Sequence, residues 1–124
     1  MGTLIKIQQN ETIPADCILL QTDRPSGKCF IETKNLDGET NLKDMYVPQD
    51  FLEFVKNDPI SYLKENPIKI SYDPPNSFLY IFNGTISTLN NKKVEFGLDK
   101  KNVLLRGSIL KNTKFVLAII CYTG

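Results

Sequence analysis

Lys28-Cys29-Phe30-Ile31-Glu32-Thr33 alternates in polarity, Asn35-Leu36-Asp37-Gly38-Glu39-Thr40-Asn41-Leu42-Lys43 follows, and Leu42 to Val47 again has the composition of a strand. A period of two is the mark of a strand with one covered face. Cys29 and Ile31 share one face and Lys28, Phe30 and Glu32 the other, so the pattern leaves open which face is buried. Asp-Gly between two such runs predicts a hairpin turn, because Gly accepts positive φ and Asp bonds its own backbone. With no side chain at Gly38, Glu39 stands on a loop tip where its carboxylate can approach another surface. The same letters also describe an ordinary hairpin with a solvated Glu, since function on loops is only a tendency.

Working outward, the β pattern continues on both sides. Thr3 to Ile7 reads as a short strand, and Pro14 biases Ile13 toward extended backbone. Asp16 to Thr22 reads as a strand whose run Cys17-Ile18-Leu19-Leu20 is continuously apolar, as when both faces are covered. Asp23-Arg24-Pro25-Ser26-Gly27 is a turn by composition. Residues 48–66 change character. Pro48 suits the first helical position and Asp50 the first turn, and Phe51, Leu52, Phe54 and Val55 recur at the spacing of one apolar helical face. Asn57-Asp58-Pro59 ends that helix; Ser61 suits the cap of a second, Tyr62 to Glu65, which Pro67 halts. From Ile68 the pattern is β again: Ile68, Ile70 and Tyr72 alternate, and Asp73-Pro74-Pro75-Asn76 breaks the run. A strand follows from Phe78 to Thr88, bent at Asn83-Gly84, then a hairpin turn from Leu89 to Lys92 and a return strand from Lys93 to Phe96. Gly97 to Lys101 reads as a loop, and strands Val103 to Leu110 and Lys114 to Tyr122 close the chain. Many short strands with frequent turns predict a mainly β, sandwich- or barrel-like domain with a short helical insertion at about residues 48–66.

Composition narrows the chemistry. The chain has 124 residues, the size of one domain, and an apolar share of 41%, which suits a folded core. A net charge of +1, from 15 basic and 14 acidic residues, leaves no electrostatic footprint for nucleic acid. There is no histidine, which removes His-based acid–base catalysis and the commonest metal ligand. Cys17, Cys29 and Cys121 lie too far apart for a Cys-x-x-Cys site, and each sits in an apolar or alternating stretch where a buried thiol is expected. The longest apolar run, Phe115 to Cys121, falls well short of the roughly 20 residues a membrane helix needs.

Taken in order, Ile13-Pro14-Ala15-Asp16, the Glu32-Thr33 strand end, the loop Asp37-Gly38-Glu39-Thr40, Leu79-Tyr80-Ile81-Phe82-Asn83-Gly84, Leu104-Leu105-Arg106-Gly107 and Cys121-Tyr122-Thr123-Gly124 resemble the actuator domain of P-type ATPases. Cation pumps of that family generally carry a Thr-Gly-Glu-Ser loop. The form here, with Asn35-Leu36 before it and Asn41-Leu42-Lys43 after it, is most similar to the type-IV, phospholipid-transporting branch. The resemblance implies a distorted jelly roll. It implies that residues 1–124 are one domain core, from the cytosolic loop between the second and third membrane helices of a longer pump, so that residue 1 is not a natural start.

It also implies roles. P-type pumps pass through a phosphorylated aspartate in a separate domain, and hydrolysing that acyl phosphate needs an in-line water and a base. The resemblance assigns the base to Glu39, with close approach allowed by Gly38 and support from Asp37 and Thr40. Asn35, Leu36, Asn41 and Arg106 fall where contacts to a neighbouring domain are implied; for Arg106 a plain surface salt bridge is the alternative. The family's acceptor motif, Asp-Lys-Thr-Gly-Thr, is absent, so this stretch alone is not expected to be an active enzyme. Mg2+, ATP and lipid are implied for the parent, and no cofactor for this stretch. The implied partners are the phosphorylation and nucleotide-binding domains, the parent's membrane helices and an accessory membrane subunit, at the cytosolic face of a membrane. Two other readings stand beside this one: the actuator of a cation or polyamine pump, against which Asp37 and Asn41-Leu42-Lys43 count, and a free-standing β-sandwich binding module, which lacks an aromatic platform.

Overall fold

The computed structural model describes residues 3–72, 84–88 and 94–120. Among the described residues ten strands run in the order β1 (Leu4–Gln8), β2 (Cys17–Thr22), β3 (Lys28–Glu32), β4 (Lys43–Tyr46), β5 (Ile68–Tyr72), β6 (Gly84–Thr88), β7 (Glu95–Leu98), β8 (Val103–Leu104), β9 (Ile109–Lys111) and β10 (Phe115–Ile120). Three helices interrupt them: α1 (Lys34–Asp37), α2 (Gln49–Phe54) and α3 (Pro59–Glu65). The strands form three antiparallel sheets, ordered β1-β10-β2-β8, β4-β3-β9 and β5-β6-β7. The expected mainly β, sandwich-like domain with a short helical insertion is what the chain forms.

Apolar patterning explains the layers. Strand β2 lies between β10 and β8, and Cys17 to Leu20 are fully buried, as a continuously apolar run requires. In β10, Val116 to Ile119 are all buried, and the ladder to β2 slips at Leu117/Ala118, a bulge that bends the strand. Strand β3 settles the question its sequence left open: Cys29 and Ile31 face the core, while Phe30 lies on the outer face with the Arg24 and Lys28 cations over its ring. Burial pushes the Cys29 thiol up to about 12, so it behaves as a small apolar side chain. One cluster joins all three sheets, and α2 closes it: Phe51 is fully buried and meets Phe96 edge-on at 5.5 Å.

The helical insertion differs from its sequence reading in three details. Pro48 is the residue before α2 and not its first, and helix α3 begins at Pro59 with Asp58 as its cap. Asp58 accepts from the Ser61 N–H and hydroxyl, so Ser61 is the capped residue where the capping residue was expected. Phe54 stays 41% exposed, because Phe51, Leu52 and Val55 already fill the buried stripe; its ring packs instead against Tyr62 and Phe96.

Two later segments also differ. Gly97 and Leu98 belong to β7, and Lys100–Asn102 form a 3-10 turn capped by Asp99, where a loop was expected. The single strand expected from Val103 to Leu110 is two, β8 and β9, separated by a turn at Leu105-Arg106-Gly107-Ser108. The Asp73-Asn76 break, the Phe78 to Asn83 part of a strand, the turn from Leu89 to Lys92 and Cys121 lie outside the described residues.

Candidate functional site

Thr33 ends β3 and begins the loop. Its carbonyl accepts from the Leu36 and Asp37 N–H groups, at 2.8 and 3.0 Å, and the Gly38 N–H reaches Lys34 O at 2.8 Å. The connection is therefore one helical turn, α1, in place of the expected tight hairpin. Gly38 still takes the left-handed conformation, φ 74° and ψ 4°, but as the residue that ends a helix. Asp-Gly serves either purpose. The Thr33 carbonyl, free to close a turn at the strand end, selects this one.

Asp37 is the hub of the loop. It accepts from the Thr33 hydroxyl at 3.0 and 3.1 Å, from the Glu39 N–H at 3.0 Å and from Lys43 Nζ at 3.0 Å. Thr33 is 1% exposed, so one end of this chain of bonds is anchored in the core. The Glu39 N–H, and after it the Lys43 ammonium, hold the Asp37 carboxyl below the usual carboxylate range. Lys43, first residue of β4, is in turn raised above the ordinary lysine range, mainly by its bond to Asp37 and further by Glu39, whose Oε2 lies 3.4 Å from Nζ. These pairs are exposed to solvent, which screens them, so they orient the loop more than they stabilise the fold.

The tip itself is open. A Cβ built on Gly38 would meet nothing within 4 Å, and the Glu39 side chain is 53% exposed. Asn35, Thr40 and Asn41 are exposed around it, as is Leu36. A carboxylate in this position can accept a proton from a water or donor presented by another surface.

Leu36 links the loop to a distant segment. A Cβ on Gly107 would lie 3.1 Å from Leu36 Cδ2, so the two loops are in contact. Next to it, the Arg106 N–H donates to Asp16 Oδ1 at 2.8 Å and the Gly107 N–H to Ile13 O at 2.9 Å, while the Ile13 N–H donates to Ser108 O at 2.8 Å. Ile13-Pro14-Ala15-Asp16 and Leu105-Arg106-Gly107, far apart in sequence, thus meet, and Leu36 of α1 lies against the second. Backbone contacts bring Arg106 there, and its side chain is exposed. Thr33 and Lys43 were not singled out as site residues in the sequence; a Thr four residues before Asp37 and a Lys four after Glu39 were the available signals. Among the described residues no three His, Cys, Asp or Glu side chains gather as a metal-holding group.

No family model matches the chain. Its relatives are more informative. It is 40% identical over 124 residues to Phospholipid-transporting ATPase DRS2 of Saccharomyces cerevisiae, 42% over 125 residues to Phospholipid-transporting ATPase VA of Homo sapiens, and 37% over 124 residues to Phospholipid-transporting ATPase ID of Homo sapiens. Each alignment takes in 100% of this chain. End to end, the chain is similar to phospholipid-transporting ATPases. The likeness read from the motifs, to the type-IV P-type ATPases, is borne out. The chain spans 8–10% of the length of these relatives. No helix among the described residues is long and apolar enough to cross a membrane.

Proposed function

We propose that residues 1–124 are the actuator domain core of a phospholipid-transporting P-type ATPase, and that the loop Asp37-Gly38-Glu39-Thr40 promotes hydrolysis of its aspartyl-phosphate intermediate. Full-length similarity to phospholipid-transporting ATPases supports the family side of this reading. The observation that carries the loop's role is the open tip: Glu39 exposed beyond a left-handed Gly38 with free space at its Cβ position. A phosphorylated domain can therefore come up to the backbone at Gly38 with the Glu39 carboxylate beside the phosphoryl group. Glu39 orients water in line with phosphorus and takes its proton as the P–O bond to the enzyme aspartate breaks. Thr40 holds the loop or bonds a phosphate oxygen. Leu36 and Arg106, in neighbouring exposed loops, together with Asn35 and Asn41, contact the phosphorylation and nucleotide-binding domains.

In this reading ATP and Mg2+ are handled by the rest of the parent, along with the lipid path through its membrane helices, and an accessory membrane subunit is a further partner. The segment works on the cytosolic face and is inactive alone. The test is Glu39→Gln in the full-length ATPase. The amide keeps the shape but takes no proton, and loss of general-base assistance slows the step by roughly 10²–10⁴-fold. Phosphoenzyme formed in a short pulse of labelled ATP should persist through a chase with unlabelled ATP and lipid. Decay at the wild-type rate would remove Glu39 from the chemistry.

A further inference from the structure

We infer that Lys43 is a positioning residue for Glu39, acting with Asp37 as a two-point clamp on the loop tip; the inference rests on the proposed role of Glu39. Four contacts carry it. Lys43 Nζ lies 3.0 Å from Asp37 Oδ2 and 3.4 Å from Glu39 Oε2, so one ammonium spans both carboxylates of the loop. Asp37 Oδ1 takes the Glu39 backbone N–H at 3.0 Å, so Glu39 is held by its main chain from one side and by its side chain from the other. The far end is fixed by the Thr33 hydroxyl, which donates to the same Asp37 carboxylate from a buried position.

The clamp joins the two rigid ends of the connection. Thr33 follows the last residue of β3 and Lys43 opens β4, and these strands pair directly through Ile31 and Lys43. The backbone between them is a single helical turn followed by irregular residues 38–42, all exposed. Left to itself such a segment samples many arrangements. A Lys bonded across it narrows the directions open to Glu39 before anything docks, which is the economy of a pre-oriented group. Asp37 is what recruits Lys43. A Thr at that position, as in the cation pumps' form of the loop, offers no carboxylate to take both the Glu39 N–H and the ammonium. The loop of this chain therefore carries its own orienting ion network.

The experiment uses the full-length ATPase and follows phosphoenzyme decay after an unlabelled chase, for Lys43→Gln, Lys43→Arg, Asp37→Asn, the double variant Asp37→Asn/Lys43→Gln, and Glu39→Gln. Lys43→Gln should slow decay by about tenfold, within the ~10²-fold that a misplacement of about 1 Å costs, while the amount of phosphoenzyme formed stays normal. Lys43→Arg, which keeps a cation able to span both carboxylates, should restore most of the rate. The double variant should be no slower than the worse single one, because both changes cut the same clamp. Wild-type decay in Lys43→Gln beside slow decay in Glu39→Gln overturns the role of Lys43 and leaves that of Glu39 standing. Fully additive losses in the double variant, or an Arg variant as slow as the Gln one, also overturn it. Wild-type decay in Glu39→Gln overturns the underlying reading instead.

Discussion

Gly27 and Gly38 hold almost the same backbone conformation, φ +76° and +74°, in opposite surroundings. Gly27 is buried, its N–H reaches Arg24 O, its carbonyl takes the Val47 N–H, and a Cβ there would lie 3.0 Å from Val47 Cβ and 3.3 Å from Leu52 Cδ2. Gly38 ends α1 with nothing within 4 Å of its Cβ position. One glycine is needed twice over, for its φ and for the space that β4 and α2 occupy. The other is needed for φ alone, and the space beside it is empty. The turn at Gly27 fills its surroundings, whereas the loop at Gly38 leaves them open, as the proposed docking of another domain requires.

The contrast is open to direct attack. The largest effect should come from Gly27→Ala, where left-handed strain of about 1–2 kcal/mol adds to overpacking of about 1–3 kcal/mol; urea denaturation of the 124-residue chain should show a loss of about 2–5 kcal/mol. Gly38→Ala should cost only the left-handed term, about 1–2 kcal/mol, in the same assay. Equal losses for the two would break the comparison. Next in size is Thr33→Val. It strips the buried hydroxyl from the Asp37 hub, for a loss of about 0.5–1.5 kcal/mol, and amide exchange at Leu36 to Glu39 should quicken more than in β3 or β4.

A smaller effect follows from pH. The Asp37 carboxyl is held below its ordinary value of 3.8 in the folded chain, first by the Glu39 N–H and then by Lys43. A depressed carboxyl contributes stability above its unfolded pKa, and that contribution is lost as pH falls through the folded one. Melting curves from pH 6 to pH 3 should therefore bring wild type and Asp37→Asn together as the pH drops below about 4. A gap that widens with acid would contradict the hub geometry. The smallest effect is that of Glu39→Gln on folding: a solvated tip carboxylate should change stability by no more than about 0.5 kcal/mol. A larger loss would mean the tip is part of the packing after all.

Much of this was legible in single letters. The alternation of Cys29 and Ile31, the solid apolar run Cys17 to Leu20, and the prolines at 48, 59 and 67 set out strands and insertion, because periodicity and fixed φ act within a few residues. Local signals failed where two outcomes use the same letters. Asp37-Gly38 suits a hairpin or a helix end, and Asp58 and Ser61 each suit a cap. Val103 to Leu110 reads as one strand because a lone glycine, Gly107, within a strand pattern suits a bulge as well as a turn. The break follows from the Gly107 N–H bond to Ile13 O and the Arg106 N–H bond to Asp16, both made to a segment some ninety residues earlier.

By itself, then, the sequence determined the mainly β class, the place of the helical insertion and the likeness to phospholipid-transporting ATPases, all of which rest on short-range patterning and on the order of motifs. Only the tertiary structure decided that β3 buries Cys29 and Ile31, that Leu36 lies against Gly107, and that Thr33, Asp37 and Lys43 tie the Glu39 tip to two strands. The first two depend on which distant surfaces meet, and that leaves no period in the sequence to read; the third joins near neighbours, whose spacing suits several turns until the loop's conformation brings donor to acceptor.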